Sequence, residues 1–358
     1  MPRYSALDSL RGLCACIVVF SHLALSLGVH SVFDRSVVLA PLVAGTSAVF
    51  VFFALSGFVL YLSFVAKDGA NTCAFLTKRI VRIYPPLLVT VLLAAGAVLF
   101  ISPEPVAGLD AWFNTQWPSL VDPTMVLSHL ALTDRPMVLD SPLWSLVVEL
   151  RFSLIFPLIA WAVSKWPITA TSLSLVISVL CRHYAASLAG STWNPVFTGE
   201  YLFLFTGGAA LAYYRDALGA LGAKMRRSFA YCSTVIVVAM LCTFPSEFGA
   251  MPRQCVAALL LVGLVAYVPV LGDPLLRPVA RFFGRVSYSL YLSHMVVILA
   301  IVHAFSGWLA PLWALALSVP CVVLMAAAMF HWIERPSILL GRRLGAKSSG
   351  LCLRFARA

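Results

Sequence analysis

Charge is what this chain has least of: 14 acidic and 25 basic residues stand among 358, and charged residues make up 11% of the total. Soluble domains carry about a quarter of their residues as charges, so a water-facing surface along the whole chain is excluded. The nine cysteines include no C-x-x-C pair and no cysteine–histidine spacing of the kind that holds zinc. Zinc and dithiol chemistry therefore find no support, and most cysteines read as small apolar helix residues. No small-residue cleavage site follows the first apolar stretch, so that stretch is expected to stay as a span and not to leave as a signal peptide. There is no internal repeat of the kind common in transporters. Basic residues form separate clusters, not one continuous patch, which argues against nucleic acid as a partner.

What the chain does have is apolar surface, 61% of residues, with a mean hydropathy of +0.95. Windows of about 17 to 25 apolar residues, long enough to cross a hydrocarbon core about 30 Å thick, recur along the whole length. The pattern predicts an all-α polytopic membrane protein with about ten transmembrane helices, near 10–29, 44–65, 84–102, 143–163, 168–187, 197–214, 229–245, 254–271, 287–306 and 309–331. Basic residues collect on alternate connections, around 78–82, 224–227, 277–285 and 335–357, while the opposite connections hold only Arg35, Arg135, Arg182 and Arg253. The positive-inside rule then puts both termini in the cytoplasm, in a cell (inner) membrane. Residues 1–340 read as one transmembrane domain and 341–358 as a short basic cytoplasmic tail, with no soluble domain appended. The connection 103–142 lies outside and is acidic; Trp112 and Trp117 read as interface anchors, and 125–132 is too short to span.

Four constellations can carry chemistry. Ser5-x-x-Asp8 reads as a capping box opening a helix on which Arg11 and His22 share one face, about 16 Å apart. With Arg11 at the membrane surface, His22 lies past the midplane, where an ionisable side chain points to function. Such spacing suits a donor with phosphates at the rim and a long arm reaching inward. Ser56-Gly57 lets another helix or a ligand arm approach the second span. Arg79 and Arg82, three apart before Tyr84-Pro85-Pro86, can fork onto phosphate oxygens or simply set topology. Trp144 and Glu149 enter from outside, Glu149 at about 9 Å depth, so that His22 and Glu149 reach a similar level. A carboxylate beside imidazole fixes its tautomer for general base work. Near the end, Tyr288 and His294 open the ninth span, His294 as a weaker candidate that can simply bond a neighbouring carbonyl. Pro336 is expected to stop the last helix, with Glu334 pairing a basic neighbour.

Six segments in order, Leu7-Asp-Ser-Leu-Arg11-Gly with His22, Phe52-Phe-Ala-Leu-Ser-Gly57, Arg79-x-x-Arg82-x-Tyr84-Pro85, Leu143-Trp-Ser-Leu-x-x-Glu149, Ser287-Tyr-Ser-Leu-Tyr-Leu-x-His294 and Glu334-x-Pro336, resemble the acyltransferase-3 family of integral membrane acyl-CoA O-acyltransferases. The resemblance implies that Arg11 and His22 form the family's arginine–histidine pair, His22 being catalytic with Glu149. It implies that Arg79 and Arg82, with Arg11, Ser56 and Gly57, serve an acyl-CoA donor, supported by Asp8, Tyr84, Trp144, Tyr288 and His294. Where many members follow the glutamate with a second acidic residue and an FY pair, this chain has Leu150, Arg151, Phe152 and Ser153. The expected reaction moves an acyl group, acetyl first, from cytoplasmic acyl-CoA to a hydroxyl of a glycan, a lipid-linked sugar or a glycosylated small molecule. A thioester is already activated, so no metal is called for. The alternative from another class is a transporter using the His22 and Glu149 pair as a proton or substrate site.

Overall fold

A computed structural model describes residues 4–355 except 37, 66–70, 134–136, 188–194, 243–249 and 276. Arg135 and the end of the predicted 229–245 span lie outside the described residues. Among the described residues every regular element is a helix. We number the principal ones α1 (Ser5–Ser26), α2 (Gly45–Val65), α3 (Thr72–Ile101), α4 (Leu143–Lys165), α5 (Pro167–Ser187), α6 (Leu202–Tyr213), α7 (Arg227–Cys242), α8 (Ala250–Tyr267), α9 (Pro278–Ala304), α10 (Pro311–Met329) and α11 (Arg335–Phe355).

Six helices among the described residues are long and apolar enough to cross a membrane, against the ten that hydropathy predicts. Among the described residues the other four windows do not reach that length and apolarity. α6 begins only after Tyr201, which is outside helical geometry, and its 12 residues reach about 18 Å. α7 is described over 16 residues, about 24 Å, up to the limit of the described residues at Cys242. α5 carries Arg182 and His183 in its last turns, and α8 carries Arg253 and Gln254 in its first. Hydropathy averaged over a window registers composition and misses these breaks.

The chain falls into two compact units. The first comprises Met1–Ala24, Val29–Val65 and Ile155–Ser287. In it α2 and α6 cross with their backbones nearly touching: a Cβ on Gly57 would overlap the Phe205 carbonyl, and one on Gly208 the Ala54 carbonyl. Small residues permit such approach where lipid offers no hydrophobic drive of its own, so dispersion and polar contacts hold the crossing. Phe53 packs edge-on to Tyr201, and the Ser47 hydroxyl donates to the Leu241 carbonyl at 2.6 Å. α1 meets the start of α9 in the same manner, Gly12 against the Phe283–Gly284 backbone.

The second unit comprises Leu25–Gly28, Ala66–Leu154 and Tyr288–Ala358. Here α3 starts at Thr72, twelve residues ahead of the predicted span, because the Asn71 side chain caps it by accepting from the Ala74 amide at 3.0 Å. Pro85 and Pro86 lie inside this helix and not near its start, so Arg79 and Arg82 are held on a regular helical face. Pro336 does not stop the last helix either. A π turn over Phe330–Glu334 joins α10 to α11, and Pro336 falls in the first turn of α11, where a missing N–H costs little. The expected tail is thus largely helical, and Gly341 and Gly345 lay it against Lys78 of α3.

In the outer connection a helix over Pro123–Leu130, capped by Asp122, is too short to span, as its sequence predicts. Trp117 departs from its expected role as an interface anchor. Its indole donates to the Leu139 carbonyl at 3.0 Å, and it stacks with Phe113 on the His303 ring, so it is core to the loop.

Candidate functional site

α4 presents Ser145, Glu149 and Ser153 at intervals of four, which places them on one face. In the second unit that face meets α3. The Arg79 guanidinium donates to the Glu149 carboxylate, and its Nε and Nη2 lie 3.3 and 3.2 Å from the Ser153 hydroxyl. Ser153 in turn donates to the Glu149 carbonyl one turn back at 2.7 Å. The small residue at 153 therefore leaves room for the guanidinium and supplies it with an acceptor.

One turn along α3, Arg82 stands 3.9 Å from Glu334, beyond hydrogen-bond range, with its side chain 32% exposed. Glu334 is buried in the π turn and accepts from Ser289 of α9 at 2.7 Å. The phenol of Tyr288 donates to the Ile83 carbonyl at 3.2 Å and sits within electrostatic reach of Glu149, Glu334, Arg82 and Arg79. Higher on α9, Tyr291 shares a 2.8 Å hydrogen bond with Ser145, donates to the Pro142 carbonyl at 3.3 Å, and lies within electrostatic reach of both Asp140 and Glu149. A polar lane thus runs between α3, α4 and α9, from Asp140 to Glu334. Along α4 from residue 143 to 153 it measures about 15 Å.

The structure brings together Arg79, Glu149, Arg82 and Tyr288 from the predicted set. His294 is wholly buried on α9 with its Nδ1 2.7 Å from the Tyr291 carbonyl. Tyr84 and Trp144 are half-buried on α3 and α4. Asp8, Arg11 and His22 are carried by α1 in the first unit; α1 is helical throughout, which keeps Arg11 and His22 on one rod. Gly57 is used for helix approach, receiving the α6 backbone, and Ser56 precedes it on α2. The predicted meeting of His22 with Glu149 joins residues of different units; within its own unit Glu149 has Arg79 as its partner. Sequence inspection passed over Ser153, Ser145, Tyr291 and Asp140 as site residues. The four-residue spacing of 145, 149 and 153 is the signal that marks two of them.

The family model described as an acyltransferase domain matches residues 4–331. An acyltransferase, MdmB, from Streptomyces mycarofaciens is 30% identical over 96% of this chain and 94% of its own length. Nodulation protein 10 from Rhizobium leguminosarum bv. viciae is 25% identical over 95% of both chains. No solved structure matches. With six spanning-length helices and a family match over most of its length, the chain is a multi-pass membrane acyltransferase and belongs to the acyltransferase-3 family.

Proposed function

We propose that the protein transfers an acyl group, acetyl first, from acyl-CoA to a hydroxyl of a glycan, lipid-linked sugar or glycosylated small molecule, in the cell (inner) membrane with both termini cytoplasmic. The observation that carries this reading is the polar lane: arginines, carboxylates and hydroxyls gathered between helices long and apolar enough to span a membrane, where ionisable side chains point to function.

In the proposed step His22 takes the proton of the acceptor hydroxyl as its oxygen attacks the thioester carbonyl. The tetrahedral intermediate collapses, the carbon–sulfur bond breaks, and the departing CoA thiolate recovers the proton from the imidazolium. Arg82 is the better placed of the two α3 arginines to meet donor phosphate, because its donors are not consumed by Glu334. Arg79 is committed to Glu149 and Ser153 and serves to hold that carboxylate in place. Arg11 of α1 is a separate candidate for donor binding, on the strength of the family resemblance.

The test is acetyl-CoA binding to detergent-purified protein at two salt concentrations, wild type beside Arg82→Ala and Arg11→Ala. Saturable binding that weakens with salt and is lost in either folded variant supports the reading. A folded wild type that does not bind acetyl-CoA overturns the donor assignment. His22→Ala should retain donor binding and lose about 10²- to 10⁴-fold in turnover, the usual worth of a positioned base.

A further inference from the structure

Asp140 is anomalous. Its side chain is wholly buried, and among the described residues neither carboxyl oxygen has a hydrogen-bond partner. Leu139 before it and Leu143 after it are themselves fully buried. A buried polar group left unsatisfied costs folding free energy that nothing around it returns, and in a native protein it calls for an explanation outside folding.

Its position supplies one. Asp140 lies just ahead of α4, its carbonyl accepting from the Leu143 amide at 3.1 Å, and the Tyr291 phenol lies within electrostatic reach of both it and Glu149. From the first residue of α4 to Glu149 is about 9 Å along the helix axis. A ligand gripped at Asp140 can therefore present a further group at the depth of Glu149. We infer that Asp140 is a binding residue for the acceptor, taking one of its hydroxyls at the end of the polar lane farthest from Arg82.

The chemistry favours a hydroxyl over other ligands. Burial holds the Asp140 carboxyl well above its ordinary range and so favours the protonated form, which has one O–H to give and one oxygen to accept. A sugar hydroxyl gives and accepts in the same way. A phosphodiester only accepts, and an ammonium group only donates and needs the ionised carboxylate. This inference rests on the acyl-transfer reading above and adds to it where the acceptor is held.

The experiment measures binding of a panel of methyl glycopyranosides, as probes, to the full-length purified protein, with acetyl-CoA binding and thermal unfolding followed in parallel. Wild type should bind at least one glycoside saturably. Asp140→Ala should weaken that binding tenfold or more, Asp140→Asn, which keeps a donor and an acceptor, should weaken it less, and both should bind acetyl-CoA as wild type does. Equal glycoside affinity in wild type and Asp140→Ala overturns the inference, as does a wild type that binds acetyl-CoA and no glycoside; Asp140 then holds water alone. Should Asp140→Ala not fold, the near-isosteric Asp140→Asn decides, and unchanged affinity in it and in Asp140→Ser overturns the inference. Failure of acetyl-CoA binding strikes the donor assignment instead, and the glycoside result is read independently of it.

Discussion

Arg79 and Arg82 share a helical face, yet their surroundings assign them different work. Arg79 spends its donors on Glu149 and Ser153, while Arg82 approaches Glu334 only to 3.9 Å. Hydrogen bonds to charged groups are worth about 1.5–3 kcal/mol, so Arg82→Ala should weaken acetyl-CoA binding by roughly 10- to 150-fold. Arg79→Ala should instead depress turnover with a smaller change in donor affinity, because it releases Glu149; equilibrium binding and single-turnover kinetics on both variants separate the two. Asp140 makes a second prediction at this scale. Its carboxyl is raised by burial above the ordinary 3.8, so the unfolded chain gives up this proton first as pH rises. The group's contribution to stability is complete below that ordinary value and is lost as pH climbs through the folded one. Asp140→Asn should accordingly melt near wild type at about pH 4 and above it at pH 7, in unfolding scans across that window. Both arginines were legible from their three-residue spacing, but which would be free was not, since Glu149 and Glu334 lie 70 and about 250 residues away in the chain.

Helices cross in the first unit by removing side chains rather than interlocking them. At Gly57 and Gly208 the obstruction to a larger residue is backbone carbonyl, which cannot turn aside as a side chain can. Overpacking usually costs about 1–3 kcal/mol, and Gly57→Leu or Gly208→Leu should exceed that range. Gly96 of α3 is the control: a Cβ there meets nothing, and Gly96→Ala should be neutral or stabilise by about 0.5–1 kcal/mol. Folded yield and melting temperature of the three variants check both statements. Sequence alone left Gly57 open between a helix and a ligand arm as its neighbour, and the choice needed the path of α6, which no local pattern encodes.

At the scale of the whole chain, class and order of elements were readable and their limits were not. All-α membrane character follows from scarce charge and recurring apolar windows. The count of ten spans failed where single residues such as Tyr201 break a window that averages as apolar. Pro336 misled in the opposite direction, since a proline stops a helix only where a regular interior turn needs its N–H. The five-residue turn at Phe330–Glu334 is what spares it, and this turn has an arithmetic of its own. Hydrogen bonds closing over five residues enclose one more residue than regular helix needs, so the turn amounts to a single-residue insertion absorbed without a break. Deleting Trp332, which is 78% exposed, should let the segment relax to ordinary helix. Every later residue would then keep its place about the axis, the glutamate still facing Ser289 and the Gly341 and Gly345 seam still on α3, so the deletion variant should fold and melt close to wild type. The last helix thus carries one residue more than its path requires, and its partners are set without it.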